Sequence, residues 1–307
     1  MLRLKRNDSS DSGIACDQEP HHSGTPTGRE KEDKGMPRFA ANLSTLFTDA
    51  PFLDRFARAR AAGFEAVECQ FPYEAEPQEI RARLDGEGLE LVLFNTSPGD
   101  FAAGERGLAG LPGREADFDA ALDQMLTYAD LLGTRLLHVM AGVQPEGVGR
   151  DACLEVYCRN LEKAAAAVGP DRTCLIEPIN TRDIRGYLIS SPDEAAALIR
   201  ELDLPNLRLQ FDFYHCQVMA GDLVRRFERL IDLVPHVQIA GVPERQEPDV
   251  GEVHYPYIFD TLDRLGFEGW VGCEYFPRGR TEDGLGWAAR YGIRPPDTTL
   301  ATGGITV

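Results

Sequence analysis

Three acidic residues in this chain each close a short apolar run: Glu177 ends CLIE, Asp212 ends LQFD and Glu274 ends VGCE. A carboxylate in such a setting loses its hydration, which costs several kcal/mol unless the group is paired or coordinated. Gln238 closes a fourth run, HVQ, lying between the last two acids in sequence. Three carboxylates brought to one place repel each other, and a divalent cation resolves that conflict. All four side chains offer oxygen, so one Mg2+ or Mn2+ ion is the expected cofactor. Zinc would recruit more His or Cys. His236, two residues before Gln238 on the same strand face, keeps a mixed site open. His215, in DFYH just beyond Asp212, reads as functional in a strand-to-helix loop. For His138, in RLLHVMA, a hydrogen-bonded core histidine and a substrate contact are evenly matched.

The elements that must position these groups alternate along the chain. Short apolar runs recur at RFAANL (38–43), EAVECQF (65–71), LELVLFN (89–95), RLLHVMA (135–141), TCLIEPI (173–179), LRLQFD (207–212), HVQIAG (236–241) and WVGCEY (270–275). Each has the length and the β-branched or aromatic content of a buried parallel strand. Helical patterns lie between them. PFLDRFARARAAG places Phe52, Leu53, Phe56 and Ala59 on one face and stops at Gly63. SPDEAAALIREL offers Ser191 as N-cap, Pro192 at the first helical position and Glu194 for a capping box. Eight such units in roughly 250 residues predict an α/β chain folded as a single (β/α)8 barrel. A doubly wound sheet would need a Gly-rich phosphate loop after its first strand, and NLSTLF (42–47) is not one. In a barrel the strand C-termini carry the active site. The last polar residues of the eight strands are Asn42, Glu68, Asn95, His138, Glu177, Asp212, Gln238 and Glu274.

Length and charge set outer bounds. Of the 307 residues, 43% are hydrophobic, enough for one large domain. Residues 1–35 lack hydrophobic periodicity and are expected to form a disordered extension. The barrel is expected over 36–291, with a loose tail at 292–307. No apolar run reaches the roughly 18 residues of a membrane helix, and MLRLKRNDSSDSG lacks the apolar core of a signal peptide, so a cytoplasmic location is expected. With 32 basic against 50 acidic residues, a net of -18, the chain is a poor ligand for nucleic acid. An anionic substrate must find a local basic pocket in that field. The seven cysteines show no CxxC pair or framework spacing and read as reduced. A homo-oligomer is compatible with all of this.

Several stretches resemble a known family. AANLSTLF (40–47), FPY (71–73), LFNTSPGD (93–100), GERGLAGLPGRE (104–115), EPIN (177–180), FDFYHCQ (211–217), HVQIAGVPER (236–245) and GWVGCEY (269–275) are similar to the hydroxypyruvate isomerase family of xylose-isomerase-like barrels. The resemblance spans about residues 36–290. It implies isomerisation of hydroxypyruvate to tartronate semialdehyde, or of 2-oxo-tetronate to 3-oxo-tetronate. PRFAANLS, LFNTSPGD, HVMAGV and GLGW look closer to the 2-oxo-tetronate branch, and EPINTRDI to the hydroxypyruvate branch. It further implies that Glu177 and Glu274 are the acid/base pair, and that Glu177, Asp212, Gln238 and Glu274 ligate the metal. His138, Asn180, His215 and Arg245 are the candidate substrate contacts. One departure is Phe276, where the family often has Lys or Gln before a proline.

On this reading the metal polarises the substrate carbonyl while one glutamate takes a proton and the other returns one to the adjacent carbon. The small anionic 2-oxo acid needs donors, for which Arg106, Arg114 and Arg245 are candidates, and the Gly- and Pro-rich loop at about 97–113 is placed to close over the site. A ketose 3-epimerase and a catalytically degenerate metabolite-binding barrel are the alternatives. A barrel endonuclease would want a histidine-rich multi-zinc site, and only His138, His215, His236 and His254 lie outside the N-terminal extension.

Overall fold

The computed structural model describes residues 36–294; the extension expected at 1–35 and residues 295–307 of the expected C-terminal tail lie outside the described residues. Eight strands form one closed parallel barrel in sequence order: β1 (Arg38–Asn42), β2 (Ala66–Glu68), β3 (Glu90–Asn95), β4 (Leu136–His138), β5 (Thr173–Ile176), β6 (Leu207–Asp212), β7 (His236–Ile239) and β8 (Trp270–Cys273). β8 pairs back onto β1, with Ala41 beside Cys273. The strands are buried almost end to end because side chains on both faces meet protein, the barrel interior on one side and the helical ring on the other. Register brings the polar strand ends level, pairing Asn42 with Glu68, Asn95 with His138 and Asp212 with Gln238. Glu177 and Glu274 each occupy the first position past their strand.

Among the described residues eight α-helices lie between the strands: α1 (Arg55–Ala61), α2 (Pro77–Glu87), α3 (Glu115–Leu132), α4 (Arg150–Val168), α5 (Pro192–Leu202), α6 (Phe213–Met219), α7 (Leu223–Leu230) and α8 (Tyr255–Arg264). Two of them escape the periodicity argument. α2 buries only Pro77, Ile80 and Leu84, too few apolar residues for a visible stripe. α6 begins directly at the end of β6, so DFYH is a helix start and not a loop. Asp212 caps it, with Oδ1 accepting from the Tyr214 N–H at 2.6 Å and from the His215 N–H at 3.4 Å. At α5, Ser191 stands at the N-cap as expected but makes no side-chain cap bond, and Glu194 pairs with Arg150 instead of closing a capping box. The described cysteines, 69, 153, 158, 174, 216 and 273, are free thiols. Among the described residues no helix is long and apolar enough to cross a membrane.

Two glycines show how tightly the barrel mouth is filled compared with the outer ring. A Cβ on Gly272 of β8 would lie 2.4 Å from Oε2 of Glu68, whose side chain is fully buried. A Cβ on Gly86, exposed near the end of α2, would meet nothing within 4 Å. Chemical denaturation is expected to show Gly272→Ala losing about 1–3 kcal/mol or more through overpacking, and Gly86→Ala gaining about 0.5–1 kcal/mol through reduced chain entropy. Equal effects at the two positions would contradict this packing.

Candidate active site

Glu177, Asp212, Gln238 and Glu274 are delivered by the ends of strands, His215 by the first turn of α6 and Arg245 by the loop after β7. Glu177, Asp212, His215 and Glu274 present one ligand atom each, all within 4.8 Å of one another, and all four are buried. Glu177 Oε1 and Asp212 Oδ2 are buried without a hydrogen-bond partner, which is costly for an anionic oxygen. Burial, followed by the neighbouring Glu274 and Asp212, drives the Glu177 carboxyl well above the usual range. Burial pushes Asp212 up to about 7 against the opposing pull of Arg245, and raises Glu274 against the same arginine. Carboxyl groups with bare oxygens, converging at one point, are a donor set that could hold a metal ion.

Glu274 is the best held of the three. Its Oε2 accepts from Arg245 Nη2 at 2.7 Å, and its Oε1 accepts from Gln70 Nε2 at 2.8 Å and Asn42 Nδ2 at 3.2 Å. Arg245 also lies 3.7 Å from Asp183 and 4.0 Å from Asp212, with its guanidinium near the Tyr214 ring. Its backbone is left-handed (φ 55°), and the Phe276 N–H bonds its carbonyl at 2.8 Å. A non-glycine residue in that region is held there by its surroundings.

Gln238 is oriented by its neighbours. Its Nε2 donates to Glu68 Oε1 at 2.8 Å, and its Oε1 accepts from Gln210 Nε2 at 2.6 Å, leaving a second lone pair on Oε1. Glu68 also accepts from Asn42 at 2.9 Å and faces His236 Nε2 at 2.7 Å. His236 is therefore tied to Glu68 and is not among the clustered residues. Glu68, Gln70 and Asn42 received no role from sequence. The alternation along β2 and its exit puts Glu68 and Gln70 on one face, and that was the available signal.

Burial disfavours the charged form of both histidines at the site. Burial depresses His138 to about 3 and holds His215 well below its ordinary value. His138 Nδ1 stands 3.6 Å from Glu177 Oε2. His215 Nδ1 faces two donors, the Asn180 backbone N–H at 3.4 Å and the Asn180 side-chain amide at 2.6 Å. Asn180 is fixed in turn by Asp183, whose N–H donates to its Oδ1 at 2.8 Å. With Nδ1 accepting, neutral His215 carries its proton on Nε2, which points toward Asp212 Oδ2 (3.5 Å) and Glu177 Oε1 (3.9 Å). His215 is thus a donor toward the cluster. Asn180, fully buried, stands behind it and not on the cavity wall.

Above the cluster is a cavity of about 290 Å3 whose walls include Glu177, His215, Gln238, Glu274, Arg245 and Arg106. Phe71, Phe101 and Phe276 belong to its apolar part. Arg114 is not on the wall; it pairs with Glu105 and Asp117. His138 and Asp212 lie beneath the surface.

The raised carboxyl groups have a consequence for stability. Below about pH 4 Asp212 is protonated in both native and unfolded chains. Between there and about 7 the unfolded chain releases a proton that the native one keeps, so stability falls as pH rises and levels off beyond. Urea titrations of metal-free protein are expected to show this fall, reduced in Asp212→Asn. A midpoint that rises over the same interval in the wild type would contradict the assigned burial.

Comparison with known proteins agrees with this architecture. A family profile described as xylose isomerase-like TIM barrel matches residues 56–291. The 2-oxo-tetronate isomerase of Cupriavidus necator is 54% identical over 257 residues, 83% of this chain and 99% of that protein. The hydroxypyruvate isomerase of Escherichia coli is 40% identical, covering 83% of this chain and all of its own length. A solved structure from Brucella melitensis, named as an AP endonuclease of family 2, superposes with a TM-score of 0.82 at 50% identity over 84% of this chain and 100% of that one. The chain belongs to the xylose isomerase-like TIM barrel family, and its curated relatives within it are named isomerases.

Proposed function

We propose that the chain is a metal-dependent isomerase of small 2-oxo acids, with 2-oxo-tetronate as its first substrate and hydroxypyruvate as the second. The observation that carries this reading is the buried cluster of Glu177, Asp212 and Glu274, two of whose oxygens have no protein donor, opening on a small cavity. The order of substrates rests on the two most identical of the relatives compared: 2-oxo-tetronate isomerases from three bacteria are 54%, 47% and 43% identical, against 40% to 44% for the hydroxypyruvate isomerase of Escherichia coli and the putative hydroxypyruvate isomerases of four vertebrates.

The three carboxylates would hold the ion, with Gln238 Oε1 as the fourth donor, because His215 carries its Nε2 proton and so offers a hydrogen bond instead of a lone pair. When bound, Mg2+ or Mn2+ supplies Lewis-acid polarisation of the substrate carbonyl. Glu177 and Glu274 serve as the base and acid of the proton transfer, roles that exchange in the reverse direction. Arg245, Gln70 and Asn42 keep Glu274 aimed, and the His215 Nε2–H donates to a substrate oxygen. His138 supports Glu177 from below. The net charge of -18 and the small cavity weigh against a nucleic-acid substrate such as the name of the Brucella structure would suggest.

The test is proton NMR of Mg2+-loaded protein with each 2-oxo acid in D2O. Deuterium uptake at the carbon beside the carbonyl, with product appearing, is expected, and Glu274→Gln is expected to lower turnover by at least about 1,000-fold while keeping the wild-type circular dichroism spectrum. Absence of exchange with both acids, or near-normal turnover in that variant, would overturn the proposal.

A further inference from the structure

We infer that Arg106 receives the carboxylate of the substrate and thereby sets a preference for acids over uncharged hydroxy-ketones. The identity of the substrate rests on the isomerase reading above; the anion site rests on the cavity itself.

Two arginines line the cavity, and their charges are differently placed. Arg245 faces Glu274, Asp183 and Asp212, so its charge is committed to neutralising the acidic floor. Arg106 has no carboxylate partner among the described ion pairs. Its Nη1 donates to two neutral carbonyls, Phe101 at 3.0 Å and Glu105 at 2.7 Å, and its guanidinium lies 3.7 Å from the centroid of the Phe101 ring. In a chain with a net charge of -18, an arginine turned to an active-site cavity and left without an acid has its charge available to a ligand.

The residue is also held in place. Gly107, immediately after it, bonds Pro98 O at 2.9 Å and bridges to Ala141 beyond β4. That approach needs glycine: φ is 122° and a Cβ would lie 2.6 Å from the Met140 carbonyl. On the other side the loop closes on itself, with the Glu105 N–H bonding Asp100 O at 3.0 Å and Glu105 Oε2 accepting from the Asp100 N–H at 2.6 Å. Stacking on Phe101 pre-orients the planar fork, which lowers the entropy lost when a carboxylate binds. The carbonyl and hydroxyl end of the substrate would then face the acidic cluster, and its carboxylate the arginine.

The test is calorimetric titration of Mn2+-loaded wild type, Arg106→Gln and Arg106→Lys with hydroxypyruvate and with its uncharged primary amide. The wild type is expected to favour the acid at least 10-fold. Arg106→Gln is expected to bind the acid 10- to 100-fold more weakly with the amide unchanged, and Arg106→Lys to retain part of the preference. No acid preference in the wild type, or one undiminished in Arg106→Gln, would overturn the assignment. Deuterium exchange, read separately, decides the isomerase reading: a wild type that prefers the acid yet exchanges nothing would sink that reading and leave the anion site standing.

Discussion

Three carboxyl groups crowded side by side in a buried barrel mouth are the constraint around which this molecule is arranged. Glu177, Asp212 and Glu274 arrive from adjacent or near-adjacent strands, and burial raises all three. The protein supplies only partial compensation. Arg245 balances Glu274 and leans toward Asp212, and the start of α6 satisfies one oxygen of Asp212. The remaining bare oxygens leave the site short of positive charge, which a bound cation could supply.

A second buried acid holds the first set in register. Glu68 stands fully enclosed at the end of β2 and accepts hydrogen bonds from Asn42 and Gln238 while facing His236. Asn42 spans both poles, touching Glu68 and Glu274 with one amide. This arrangement turns the Gln238 oxygen away from Glu68, and Gly272 leaves the volume that Glu68 needs. Supporting bonds of this kind fix ligand orientation in metal sites generally. The histidine side is built the same way, since Asp183 orients Asn180 and Asn180 sets the tautomer of His215.

Much of this was legible in the chain. The strands could be read because parallel barrel strands are apolar on both faces, so each run ends where its first strong polar group appears; that is also why Glu177, Asp212 and Glu274 stood out. The helices α2 and α6 were not legible, one for want of an apolar stripe and the other because its cap doubles as a strand-end acid. Ser191 and Glu194 had the right spacing for a capping box, but Arg150 from a distant segment attracts Glu194. The choice among Arg106, Arg114 and Arg245 depended on loop conformation, which decides which arginine meets an acid and which meets the cavity. No local pattern encodes that. Asp183 was hidden for the same reason.

The central claim is that one divalent cation completes the carboxylate cluster, and electron paramagnetic resonance of free Mn2+ during titration tests it directly. At neutral pH the account requires one tight, saturable Mn2+ site per chain, weakened at least about 100-fold in Asp212→Asn, since a lost charged ligand costs several kcal/mol. A wild type that binds no Mn2+ stoichiometrically, or a variant that binds it as tightly, would contradict the account.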